Sequence, residues 1–176
     1  MNTPISWIKA YVPDLECTDQ EFRDAMTLSG TKVEGFERLD KNLEKIVVGE
    51  VKKVEKHPDA DKLVICQVDV GEANGGVIQI VTGAPNVVEG GKYPTVLHGG
   101  KVAGGHGGEP APEDGIKITK GKLRGVESFG MMCAIEELGR DKNYYPNAPE
   151  SGLYPLDADA PVGEDAIKVL GLHDTV

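Results

Sequence analysis

From Ile46 onward the chain is broken into short Val- and Ile-rich runs, each bounded by Gly, Pro, Asp or Asn. The runs Ile46–Val54, Leu63–Val70, Val77–Val81, Tyr93–Leu97 and Gly130–Ile135 are too short for globular helices, and their β-branched content suits half-buried strands. About five short strands within roughly a hundred residues, rich in glycine and poor in helix signals, are expected to curl into a small barrel rather than remain an open sheet.

The two ends of the chain have a different texture. Ser6 precedes Trp7, Ile8 and Tyr11 at helical spacing, and Pro13 halts that run. Thr18 and Glu21 form a T-x-x-E capping box, Phe22, Ala25 and Met26 share a helical face, and Gly30 suits a left-handed helix end. Lys32–Arg38 alternates like a strand, and a short helix is expected after Gly163 with Ala166, Ile167 and Leu170 on one face. Neither 1–39 nor 152–176 can bury a core alone. The expected architecture is therefore α+β: a five-stranded barrel over 40–151 inserted into a small discontinuous domain built from 1–39 and 152–176. Between the strands, Gly99–Gly115 is dominated by glycine and proline, and its composition predicts a mobile surface loop.

Charge narrows the function classes. The chain carries a net charge of −10 with a pI near 4.9, so it offers no global attraction to phosphate. Any nucleic-acid site must be local. Ile116–Val126 is the exception to the acidic background, with Lys117, Lys120, Lys122 and Arg124 and no acid. Lys52, Lys53 and Lys62 could extend it, and Ser128 beside it reads either as a strand-end hydroxyl or as a further RNA contact.

Other chemistries find little footing. Cys17, Cys66 and Cys133 show no CxxC spacing and are read as buried or half-buried apolar residues in a reducing compartment. No apolar run has the roughly 20 residues of a membrane helix, and no basic segment leads into an apolar leader, so a cytoplasmic location without membrane attachment is expected. In HPDADK, the alternating His57, Asp59 and Asp61 invite a metal-dependent enzyme reading, but Pro58 and the aspartates also form an ordinary turn, which is preferred. In IVTGAPNV, Gly83 and Asn86 suit a turn closed by an Asx-type bond, and the P-loop lysine is missing. GVESFG around Ser128 and Gly130 is one residue too long for a nucleophile elbow. No catalytic residue or metal site is expected.

Taken in order, HPDADKLVICQVDVG, IVTGAPNV and KLRGVESFGMM resemble the tRNA-binding domain family of OB-folds. That family occurs in methionyl-tRNA synthetases, stand-alone tRNA-binding proteins and the β-subunits of bacterial phenylalanyl-tRNA synthetases. The flanks ISWIKAYVP, LSGTKVEGFER, CAIEELGRD and PVGEDAIKVLGLHDTV are similar to those of the last group. The resemblance implies an OB-fold that contacts the backbone of folded tRNA, within the N-terminal part of a longer subunit that continues into editing and anticodon-contacting domains. It implies no cofactor in this portion, since ATP and magnesium act on the α-subunit, and an α2β2 assembly of two α-subunits with two β-subunits. Gly99–Gly115 looks longer than is usual in the family. The alternative is an architectural or α-subunit-contact module with little RNA contact.

Overall fold

A computed structural model describes residues 2–104 and 112–176. It contains two compact units, Asn42–Val169 and a smaller one formed by Met1–Lys41 with Leu170–Val176. Among the described residues no helix is long and apolar enough to cross a membrane.

The larger unit is a curled antiparallel sheet of OB-like α+β type. Its strands are β1 (Glu44–Lys56), β2 (Val64–Asp69), β3 (Val77–Thr82), β4 (Lys92–Val102), β5 (Ile116–Lys117), β6 (Gly121–Leu123), β7 (Val126–Ser128) and β8 (Gly130–Met132). The order is β3-β2-β1-β4-β5, with β8 also on β4 and β6–β7 as a separate hairpin. β1 serves both halves of the sheet because its register shifts at Glu44/Ile46 and again at Val51/Lys53. Such irregularities bend a strand and increase its twist, which lets 13 residues wrap a barrel. The curl is drawn together where the β7–β8 segment meets β3: Phe129 N–H donates to Gln79 O at 2.9 Å, and Val81 N–H donates to Ser128 Oγ at 3.1 Å. Inside lie Val47, Val51, Cys66, Val68, Val70, Ile80, Tyr93, Met132 and Leu153.

The five expected strands coincide with β1 to β4 and β8. The short β5, β6 and β7 were outside the expectation, because runs of two or three residues are too short to carry an alternation that a pattern could register. The glycine-rich segment also differs in its first part. Gly99–Val102 completes β4 rather than starting a loop, and Gly100 is buried where a Cβ would meet Glu44 O at 2.6 Å. Glycine is required there for close packing. The expected loop character of 105–111 concerns residues outside those described.

Burial pushes the Cys66 thiol up to about 11, and burial raises Cys133 well above the usual thiol range, so both behave as small apolar residues. Cys17, in contrast to the reading of all three as at least half-buried, is exposed.

In the smaller unit, α1 (Ile5–Tyr11) and α2 (Asp19–Leu28) follow the sequence signals closely. Thr18 Oγ1 accepts from Glu21 N–H at 3.2 Å, Glu21 Oε2 accepts from Thr18 N–H at 2.8 Å, and Gly30 ends the helix at φ 108°. The strand expected over Lys32–Arg38 is reduced to a short ladder between the chain ends. Glu37 and Val176 exchange bonds of 2.7 and 2.9 Å, and Leu39 N–H donates to Asp174 O at 2.9 Å. The division of the chain falls after Val169, later than the expected return at 152, because intervening residues pair with the barrel: Leu156 N–H donates to Lys92 O at 2.9 Å and Gly163 N–H to Val48 O at 2.8 Å. The following short helix, α3 (Ala166–Val169), buries Ala166 and Ile167.

The end ladder is held by a charged knot. Asp40 accepts from Arg38 Nε and Nη2 at 2.9 and 2.8 Å and lies 3.0 Å from His173 Nδ1. The Arg38 hydrogen bonds, opposed by partial burial and aided by His173, hold the Asp40 carboxyl down at about 2. The folded value lies below the unfolded one, so the contribution is present above the ordinary aspartate range and is lost as pH falls toward 2. Because Arg38 is largely exposed, its net worth is discounted to about 1 kcal/mol. Trp7, the sole tryptophan, lies in the same unit. Denaturation followed at Trp7 is expected to lose about 1 kcal/mol between pH 5 and 2, and Asp40→Asn to remove that dependence; an unchanged acid profile in the variant would refute it.

Candidate nucleic-acid interface

The cationic strip is displayed on the smallest strands. Gly121↔Ser128, Lys122↔Glu127 and Leu123↔Val126 pair in the β6–β7 hairpin, and its two turn residues, Arg124 and Gly125, have φ of 49° and 87°. Positive φ at both central positions is the type I′ arrangement that fits the twist of a hairpin. Arg124 therefore occupies the exposed tip, with Lys122 one step behind it and within 4.0 Å of Glu127.

Lys117 stands on β5 directly opposite Lys101 of β4. Like charges facing each other across strands are unfavourable; Lys101 faces Glu44 of β1 on its other side, but neither lysine forms an ion pair among the described residues. Lys101 is a cation that sequence reasoning missed, since it lay within the segment read as a loop. Its pairing with Lys117 could be found only from the register. Lys120 lies between strands, its N–H donating to His98 Nδ1 at 2.9 Å, which fixes the backbone while leaving the ammonium exposed.

The other expected cations differ in availability. Lys52 is 3.0 Å from Glu50 and 3.9 Å from Asp69, and Lys53 is 2.9 Å from Glu55, whose hydrogen bond raises the lysine. Their charge is largely neutralised. Lys62 is exposed without an ion pair among the described residues. Ser128 is separate from all of these. It is buried, its Oγ accepting from Val81 N–H and donating to Gly130 O at 3.0 Å, so its hydroxyl is committed inside the barrel.

His57 connects the strip to the HPDADK turn. The ring is buried; Nδ1 accepts from Asp59 N–H at 3.1 Å, which places the proton on Nε2, 3.1 Å from Leu123 O. Both nitrogens are thereby engaged with backbone. Asp59 and Asp61 are exposed, and the turn is organised by the imidazole rather than by aspartate side chains. Among the described residues no three His, Cys, Asp or Glu side chains are gathered as a metal would require.

The IVTGAPNV turn is likewise closed from afar. Asn86 makes no local Asx bond; its Nδ2 donates to Leu153 O and its Oδ1 accepts from Leu153 N–H, both at 2.8 Å. The local cap is Thr82 Oγ1, accepting from Ala84 N–H at 3.2 Å. Gly83 is exposed, and a Cβ there would sit 3.3 Å from Leu63 Cδ2. Gly130 is buried, with a Cβ position 2.6 Å from Val96 O. Next to His98 a groove of about 510 Å³ opens, lined by Lys45, Ile78, Leu97, His98 and Phe129 among others.

Known proteins share this arrangement of motifs. The family described as "Putative tRNA binding domain" matches residues 46–165. Over 176 residues the chain is 44% identical to the phenylalanine–tRNA ligase beta subunit of Clostridium acetobutylicum, and over 170 residues 41% identical to that of Bacillus cereus. These alignments cover 100% and 97% of the chain, which spans about a fifth of the length of these curated relatives, 20% in each case. A solved MetRS-related protein from Pyrococcus horikoshii aligns with 85% of the chain and 96% of its own, at 23% identity and a TM-score of 0.43. On the match over 46–165, which takes in the whole strip, the hairpin and all three motifs, the chain belongs to the tRNA-binding-domain family.

Proposed function

We propose that this chain binds tRNA by its backbone, through Lys101, Lys117, Lys120, Lys122 and Arg124, as the non-catalytic N-terminal part of a phenylalanine–tRNA ligase β-subunit. The observation that carries the reading is the Lys101–Lys117 pair, two cations facing each other across strands at the β5 edge of the sheet, with Glu44 of β1 on the far side of Lys101. A phosphate diester would relieve that repulsion. The hairpin tip adds Arg124, and Lys62 is tied to it through His57. Such contacts report shape and charge, not sequence, so choice of the cognate tRNA would reside elsewhere. The barrel would act as an insertion within a domain of both chain ends, in an α2β2 cytoplasmic enzyme whose α-subunit binds ATP and magnesium.

Titrating tRNA at increasing salt tests this. A Lys120→Ala, Lys122→Ala, Arg124→Ala triple variant is expected to bind about tenfold more weakly at low salt, and the slope of log affinity against log salt should shrink by roughly 2 to 3. Unchanged affinity and slope would dismiss the strip. The net charge of −10 and the neutralised Lys52 and Lys53 favour a second reading, an architectural module that contacts the α-subunit. That reading requires salt-insensitive association with the α-subunit and no tRNA binding.

A further inference from the structure

The groove beside the cationic strip holds an aromatic ring in a fixed but open position. Phe129 lies between Ser128 and Gly130, both buried, and its own N–H is bonded to Gln79 O at 2.9 Å. Its backbone is therefore immobilised on both sides, yet the residue remains 38% exposed. Of the other aromatics in this unit, Tyr93 is buried with its hydroxyl bonded to Asn86 O, Tyr145 packs edge-on against Tyr154, and Tyr144 is exposed but does not line this groove.

Three polar residues line the same groove, Lys45, His98 and Asn74, the last with its Nδ2 donating to Val70 O and Gly163 O at 2.9 Å each. Lys45 has φ 53°, in the left-handed region, at the register irregularity between Glu44 and Ile46. A bulge commonly serves to re-aim a side chain, and a left-handed lysine is held there at a cost. Gly99, at φ 77°, lies across from it, its Cβ position at an ordinary contact distance of 3.5 Å from Lys45 Nζ. His98 accepts Lys120 N–H through Nδ1, which leaves Nε2–H as a donor and joins the groove directly to the strip. Glu44 and Glu127 flank these residues in sequence, but none of the groove's lining residues is acidic.

We infer that the groove takes one unpaired nucleobase of an RNA strand, stacked on Phe129, with Lys45 and His98 at its polar edge and the adjoining phosphates running over Lys120 to Arg124. This rests on the proposed tRNA reading and adds a base-sized subsite to it. Stacking on an aromatic ring tolerates any base, so the subsite selects for strand opening rather than for sequence.

The test uses the whole chain with two probes, a short single-stranded RNA carrying 2-aminopurine and a blunt RNA duplex. Phe129→Leu is expected to weaken single-strand binding about tenfold while leaving duplex binding within about twofold, and Phe129→Tyr to restore the wild-type value. Emission of 2-aminopurine should be quenched on wild type and on Phe129→Tyr, and not on Phe129→Leu. If the duplex binds but the single strand responds equally to wild type and Phe129→Leu, the base subsite is overturned and the tRNA reading stands. If neither RNA binds wild type, both fall.

Discussion

Gly130→Ala is expected to destabilise the barrel by about 3 kcal/mol and to lower its melting temperature by roughly 10 °C. The added Cβ would lie 2.6 Å from Val96 O, a backbone atom in the strand that Gly130 pairs beside, so no rotamer change can relieve the contact. Relief requires β8 to move off β4, and with it the Gly130 carbonyl that accepts from Ser128. Because Ser128 also receives Val81 N–H, the seam between β7–β8 and β3 would open too. Gly121→Ala is the matched control: its nearest neighbour outside the adjoining residues is Thr119 O at 4.0 Å, and a change within about 0.5 kcal/mol is expected. Equal melting of the two variants would show that the close approach at Gly130 is not what holds the barrel shut.

The second large effect is expected at Asn86. Its amide pairs with Leu153 as a further strand residue would, donating to O and accepting from N–H at 2.8 Å each. Leu153 is only 4% exposed, so water cannot replace both partners after Asn86→Ala. Two stranded backbone groups at about 1 to 3 kcal/mol each give an expected loss of roughly 3 kcal/mol. Asn86→Asp keeps the acceptor but faces Leu153 O with a carboxylate, and should be no better than alanine. Urea titration of both variants decides this; an alanine variant within about 0.5 kcal/mol of wild type would mean that the amide pair is dispensable.

These residues also mark the limit of what a linear reading could show. α2 was legible in full, since a capping box and a terminal glycine are local devices that act within one turn. The four long strands were legible from β-branched content, and the cations of 117–124 from charge alone. What lay hidden was pairing between distant residues. Asn86 carries every local sign of a turn residue, but its partner is 67 positions away. Lys101 looked like part of a glycine loop until the β4–β5 register set it against Lys117. Gly100 looked like part of a mobile loop and Gly130 like the start of a strand, and both proved to be points of close contact. The same cause explains Ser128, which borders the cations in sequence but faces the interior, because strand neighbours alternate sides.

The His57–Leu123 bond has a consequence for how the strip would meet a ligand. It spans 66 residues and fastens the HPDADK turn to the hairpin, so the backbones that carry Lys62 and Arg124 are joined. The spacing of the backbones that carry these charges is then set before any encounter, while the exposed side chains adjust. A phosphate backbone whose pitch matches would be met at little ordering cost, and one whose pitch does not would be refused by geometry although the charge is identical.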